Sequence, residues 1–79
     1  MFVELVYDKR YVIGLPRAKD IILNELTKRV HRIFPDADAR VKPMQASGLN
    51  SDASKSDREK LNSMLEEMFE EADMWLVEG

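Results

Sequence analysis

Five carboxylates crowd into the segment Glu66-Glu67-Met68-Phe69-Glu70-Glu71-Ala72-Asp73. Acids so placed can hold a divalent cation, move protons, or present charge to a basic surface. Metal cages in helical proteins combine acids from several helices with Glu-x-x-His motifs that face inward. No such motif occurs here, and these acids face away from the apolar residues between them. Catalysis would need further groups. His31 is the only histidine; it sits beside Arg29 and Arg32 with no carboxylate three or four residues away, and reads as a solvated or half-buried helix residue. No cysteine is present as nucleophile or soft ligand. Gly14 and Gly48 stand alone rather than in a phosphate-binding loop, and neither GxSxG nor HExxH occurs. The sequence therefore implies no enzyme, no metal site, no cofactor and no small-molecule substrate. What remains for the acids is charge itself.

On a helix that charge works against its own chain. Glu66/Glu70 and Glu67/Glu71 are like-charge pairs four apart, and Glu70/Asp73 is a pair three apart; each costs roughly 0.2–0.5 kcal/mol. Near the last turn the helix dipole disfavours anions by a further 0.3–1 kcal/mol or so. The total reaches about 2 kcal/mol, a substantial part of the stability of a small domain. Mixed charges would confer solubility equally well. The expectation is a partner-binding face made of Glu66, Glu67, Glu70, Glu71 and Asp73, with Met74 beside them and off the apolar stripe. A rod bearing an anion on every turn matches nucleic-acid phosphates in charge while lacking the bases. It fits a basic groove of the kind that accepts DNA or RNA. The same charge repels phosphates from this chain, so direct nucleic-acid binding is not expected. The alternative patch for such binding is Lys28, Arg29 and Arg32 with Arg40 and Lys42, residues that equally serve as internal counter-charge or as complements of a helix dipole.

The formal net charge of −3 hides this division. Residues 1–43 hold nine Lys/Arg against six Asp/Glu, residues 44–60 hold three of each, and residues 61–79 hold six acids and no base. A mildly basic body carries a strongly acidic end, an asymmetry that points to an electrostatic partner.

The elements that place these residues follow from periodicity. Phe2–Tyr7 alternates as a strand, with Val3, Leu5 and Tyr7 on one face. A polar turn with the short apolar patch Tyr11-Val12-Ile13 leads to Gly14 and Pro16, with Pro16 expected in the first turn of a helix. From about Arg17 to Phe34, Ala18, Ile22, Leu26, Val30 and Ile33/Phe34 recur at helical spacing. Pro35 stops that helix. Ala39–Ala46 reads as a second strand, which Pro43 confines to an edge or interrupts with a bulge. Gln45–Ser56, rich in Gly, Asn, Asp and Ser, reads as a mobile loop with a short third strand near Ala46–Leu49. Ser56-Asp57-Arg58-Glu59 fits a capping box. Behind it, Leu61, Met64, Leu65, Met68, Phe69, Ala72, Trp75 and Leu76 trace one stripe, predicting a helix from about Asp57 to Leu76. Met64, Met68 and Trp75 fall on that stripe and read as core.

Two amphipathic helices and two or three strands imply an α+β fold in two layers, β-α-β(β)-α, both helices on one face of a small sheet. The strand–helix–strand opening favours a right-handed crossover and a parallel pair. The 79 residues allow one domain, 1–79, with a thin core and no disulfide to reinforce it. No apolar run approaches the roughly 20 residues of a membrane span, and Glu4 interrupts the apolar N-terminus, which is not expected to be a signal peptide. A soluble, cytoplasmic protein is expected.

Two segments carry a resemblance to a known family: Glu25-Leu26-Thr27-Lys28-Arg29-Val30 leading to Phe34-Pro35-Asp36, and Leu65-Glu66-Glu67-Met68-Phe69-Glu70-Glu71-Ala72-Asp73-Met74-Trp75-Leu76-Val77. By these the chain resembles the DinI-like family of enteric bacteria and their phages, its virulence-associated members in particular. The resemblance spans nearly the whole chain. It implies an α+β fold with a long acidic C-terminal helix, and a role in the SOS response to DNA damage. Founding members bind the RecA–single-stranded-DNA filament through that helix and modulate filament stability and co-protease activity. Glu67, Glu70, Asp73 and Trp75 match the family pattern; the resemblance gives the filament contact to the three acids and makes Trp75 an anchor of the helix. Glu66 and Glu71 add acids where the founding member is uncharged, and Met74 replaces an acid. The partner so implied is a RecA-type recombinase filament, met by a monomer or weak homo-oligomer. The alternative is an antirepressor-like or DNA-mimic regulator acting on a different basic protein.

Overall fold

The computed structural model describes residues 1–12 and 14–76, with Tyr11 described by its backbone. Ile13 of the predicted apolar patch, and Val77 and Glu78 of the acidic end, lie outside the described residues. The chain order is β1 (Phe2–Asp8), a 3₁₀ turn (Lys9–Val12), α1 (Ala18–Ile33), β2 (Asp38–Met44), β3 (Gly48–Ser51), α2 (Lys55–Glu70) and α3 (Ala72–Trp75). This is the α+β architecture expected. The sheet order is β2-β1-β3. β2 runs parallel to β1, with Leu5 opposite Val41, and β3 runs antiparallel, with Leu5 opposite Leu49.

Alternation in β1 sends Val3, Leu5 and Tyr7 to the helical side, where all are buried. α1 and α2 supply Ile22, Leu26, Val30, Leu61, Met64 and Met68 to the same core. Six side chains are fully enclosed there, Ile22, Leu26, Leu61, Met68, Val3 and Val30, each contributing about 1.5–3 kcal/mol. The opposite face of the sheet carries no helix among the described residues. Pro43 lies in β2, an edge strand, as its missing amide requires.

Three local expectations are corrected. Pro16 stands before the helix cap Arg17 rather than in the first turn; Gly14, at φ 88°, makes the turn that precedes it. The segment from Gln45 to Ser56 contains β3 and the start of α2 rather than a mobile loop. Its polar side chains act as staples. The Ser51 hydroxyl donates to the Phe2 carbonyl at 2.7 Å, Asp52 Oδ1 accepts from the Phe2 amide at 2.9 Å, and Arg58 Nη2 donates to the Ser51 carbonyl at 2.7 Å. The cap of α2 is Ser54, not Ser56: its Oγ accepts from the Asp57 amide at 3.3 Å. Ser54-x-x-Asp57 has the same spacing as the predicted box, two residues earlier.

Candidate protein-interaction surface

α2 packs Leu61, Met64, Leu65 and Met68 inward, which leaves Glu66, Glu67 and Glu70 exposed on its outer side. None of the three has an ion-pair partner among the described residues. At 3.6 residues per turn Glu66 and Glu67 diverge to two flanks, and Glu70 lies between them. Glu67 borders a groove between α1 and α2 together with Arg29, Arg32, Glu59, Lys60 and Ser63. Glu66 borders the other flank, against β3.

The helix does not run unbroken to Leu76. α2 ends at Glu70, Glu71 forms a turn, and Ala72–Trp75 is a separate single turn, α3. Trp75 folds back across the break. Its indole Nε1 donates to the Met68 carbonyl at 2.6 Å, an acceptor that an uninterrupted helix would offer to the amide of residue 72. Its ring lies 6.1 Å from that of Phe69 at a tilt of 55°, within the favourable range for aromatic pairs. Glu70 and Asp73 therefore do not form the three-apart helical pair expected of them. Asp73 and Met74 sit on α3, both exposed, Met74 by 73%.

Glu71 differs from the other acids. Arg29, on α1, reaches it with Nη2 at 3.2 Å while its Nε holds Glu25 Oε2 at 2.6 Å. Hydrogen bonding to Glu25 first, and to Glu71 after it, raises the Arg29 pKa above its ordinary value. The acidic end is thus tied to α1 by a guanidinium. Arg29 acts as internal counter-charge, which divides the basic patch proposed from sequence. Arg40 is likewise held by Asp38 at 2.8 Å on the open face of the sheet, whereas Lys28 and Arg32 are exposed on α1. The patch is therefore spread over two faces. His31, also exposed, donates from Nε2 to the Ala37 carbonyl at 2.9 Å and fastens the turn after α1. Among the described residues no group of three or more His, Cys, Asp or Glu is placed to hold a metal ion, and no helix is long and apolar enough to cross a membrane.

An acidic outer helix, a broken aromatic-pinned end and a small mixed sheet thus make up a chain that has known relatives. Residues 16–76 match the model of the DinI-like family. The chain belongs to that family. Within it, the chain is 74% identical over 77 residues to virulence protein MsgA of Salmonella typhimurium, the match covering 98% of each chain. It is 38% identical over 76 residues to DNA damage-inducible protein I of Serratia marcescens, covering 95% of each. To the protein of the same name from Escherichia coli K12 it is 33% identical over 63 residues, covering 76% of this chain and 78% of the relative.

In this DinI-like chain the Glu25–Arg29–Glu71 link is only half legible in the sequence. Its first half carried a signal, an acid four residues before a base on one helix. Its second half joins residues 42 apart and had none. The groove between α2 and β3 has no signature in the sequence either, because it depends on how the helix seats on the sheet.

Proposed function

We propose that this chain is a non-enzymatic regulator of the DNA-damage response that docks its acidic α2 face on a RecA-type filament. Through that contact it modulates filament stability and co-protease activity. The observation that carries this reading is the exposed row Glu66, Glu67 and Glu70, without an ion pair among the described residues and continued by Asp73 and Met74 on α3. Like charges held together at a cost to the helix find their return in a basic partner. Membership of the DinI-like family and relatives named DNA damage-inducible protein I support the same reading. Met74, a large apolar side chain exposed next to Asp73 at the end of this row, adds a contact that charge alone does not supply.

The direct test is co-sedimentation of the purified chain with RecA, with and without single-stranded DNA and ATP. The expected result is recovery in the pellet only when the filament forms. A chain that stays in the supernatant throughout overturns RecA as the partner. The 74% identical relative named a virulence protein favours a second reading, in which the same acidic face binds a different basic regulator. Affinity capture from DNA-damaged cells separates the two, since the first returns RecA and the second another basic protein, both released by salt.

A further inference from the structure

The two edges of the sheet are unequal. β2 carries Pro43, which has no amide to donate, and an exposed Lys42, devices that blunt an edge against further pairing. β3, Gly48–Ser51, has neither, and no described strand pairs with its outer side. On the helical side of that edge α2 does not close onto the sheet. A groove remains, floored by Leu5, Leu49, Leu65 and Phe69 and rimmed by Asn62 and Glu66. It continues past Ser47 into a notch of about 200 Å³ beside Tyr7. An apolar cavity of about 150 Å³ already accommodates a benzene ring, so this notch has room for one large apolar side chain. Asp8 and Glu66 line the groove and notch together, and no Lys or Arg does. Arg10 engages Asp8 at 2.8 Å, which leaves Glu66 as the available charge.

An open strand edge above an apolar groove with an acidic rim specifies its occupant. Side chains alternate along a strand, so a segment pairing with β3 sends every second residue onto the helical side. We propose that the β3 edge and the α2–β3 groove bind an extended segment of a partner protein that presents an apolar residue and, two positions along and so on the same face, a basic one. The segment adds a fourth strand, seats its apolar side chain between Leu49 and Phe69, and sets a Lys or Arg two residues away beside Glu66. The proposal rests on the acidic-face reading only in that Glu66 belongs to both surfaces.

Titration of the ¹⁵N-labelled full chain with two capped peptides, Thr-Leu-Thr-Lys-Thr and Thr-Ser-Thr-Lys-Thr, tests it. The leucine peptide is expected to bind at least about tenfold more tightly, one pocketed apolar group contributing 10–200-fold in comparable sites. It should also shift and protect the amides of Gly48–Ser51 and shift those of Asn62 and Glu66. Ser47→Trp, at an exposed position outside the strands, fills the groove and removes the preference for leucine; Asn62→Trp does the same from the helix side. Equal binding of the two peptides, or shifts confined to Glu67–Met74, overturns the strand-addition site. So does an absence of binding by either peptide. The filament test reads separately, because Glu67→Lys with Glu70→Lys leaves Glu66, the groove and the β3 edge in place.

Discussion

The Arg29 guanidinium holds two carboxylates at once, and the two contacts have different worth. Arg29 and Glu25 are each about 15% exposed along their side chains, whereas Glu71 is 48% exposed and open to solvent screening. Double-mutant cycles in chemical denaturation should return a coupling of about 0.5–1 kcal/mol for Arg29 with Glu25, and less than about 0.5 kcal/mol, vanishing in high salt, for Arg29 with Glu71. Glu71 is then free to exchange its internal cation for a partner's at little cost. A second residue ties stability to alkaline pH. Burial raises the pKa of Tyr7 above its ordinary value of 10.0, so the folded state prefers the protonated phenol. That contribution is complete below about pH 10, the unfolded pKa, and is lost as pH rises through the folded one. Thermal midpoints should fall on crossing that range, and Tyr7→Phe should remove Tyr7's share of the fall.

The start of α2 offers a sharp contrast between two serines. Ser54 caps the helix through the Asp57 amide, so Ser54→Ala should destabilise by about 0.5–2 kcal/mol. Ser56, exposed inside the first turn, should change stability by less than about 0.5 kcal/mol when replaced by Ala. Urea titration of the two variants checks both values. The same element shows how far periodicity reaches. The stripe from Leu61 to Met68, and Ala18 to Val30 in α1, were legible because buried residues repeat every three or four positions whatever surrounds them. β1 was legible through Val3, Leu5 and Tyr7, and Pro43 marked its strand as an edge. The boundaries were not. Ser54 and Ser56 both satisfy cap chemistry, and the choice between them depends on Ser51 and Asp52 pinning the preceding strand to Phe2. Nor was the break at Glu71, since Trp75 and Leu76 fit the stripe of one long helix. The break is accompanied by an indole reaching the Met68 carbonyl seven residues back, a contact that periodicity does not reveal. The acidic face was read correctly as exposed for Glu66, Glu67, Glu70, Asp73 and Met74, because it is the complement of the core stripe. The partial engagement of Glu71 was hidden, being set by the packing of α1 against α2.

Among the described residues, the mixed sheet and two helices gather most of the large apolar side chains into a single core, Met1, Phe2, Met44 and Met74 remaining exposed, and the acidic side of α2 is turned away from it. Charge is arranged accordingly. Arg29 gathers carboxylates between the helices, Arg40 and Arg10 hold Asp38 and Asp8 beside the sheet, and Glu66, Glu67 and Glu70 have no ion pair among the described residues. A partner bound through exposed charges releases as salt rises, and the contact depends on sign more than on shape. Reversing the sign on α2 should therefore abolish binding without disturbing the core, since Glu67 and Glu70 are exposed. The decisive measurement is co-sedimentation of the Glu67→Lys/Glu70→Lys variant with RecA–single-stranded-DNA filaments, beside the unaltered chain and with circular dichroism to verify the fold. The account predicts a native spectrum, a pelleted unaltered chain, and a variant left in the supernatant. A folded variant that pellets as fully as the unaltered chain would contradict it.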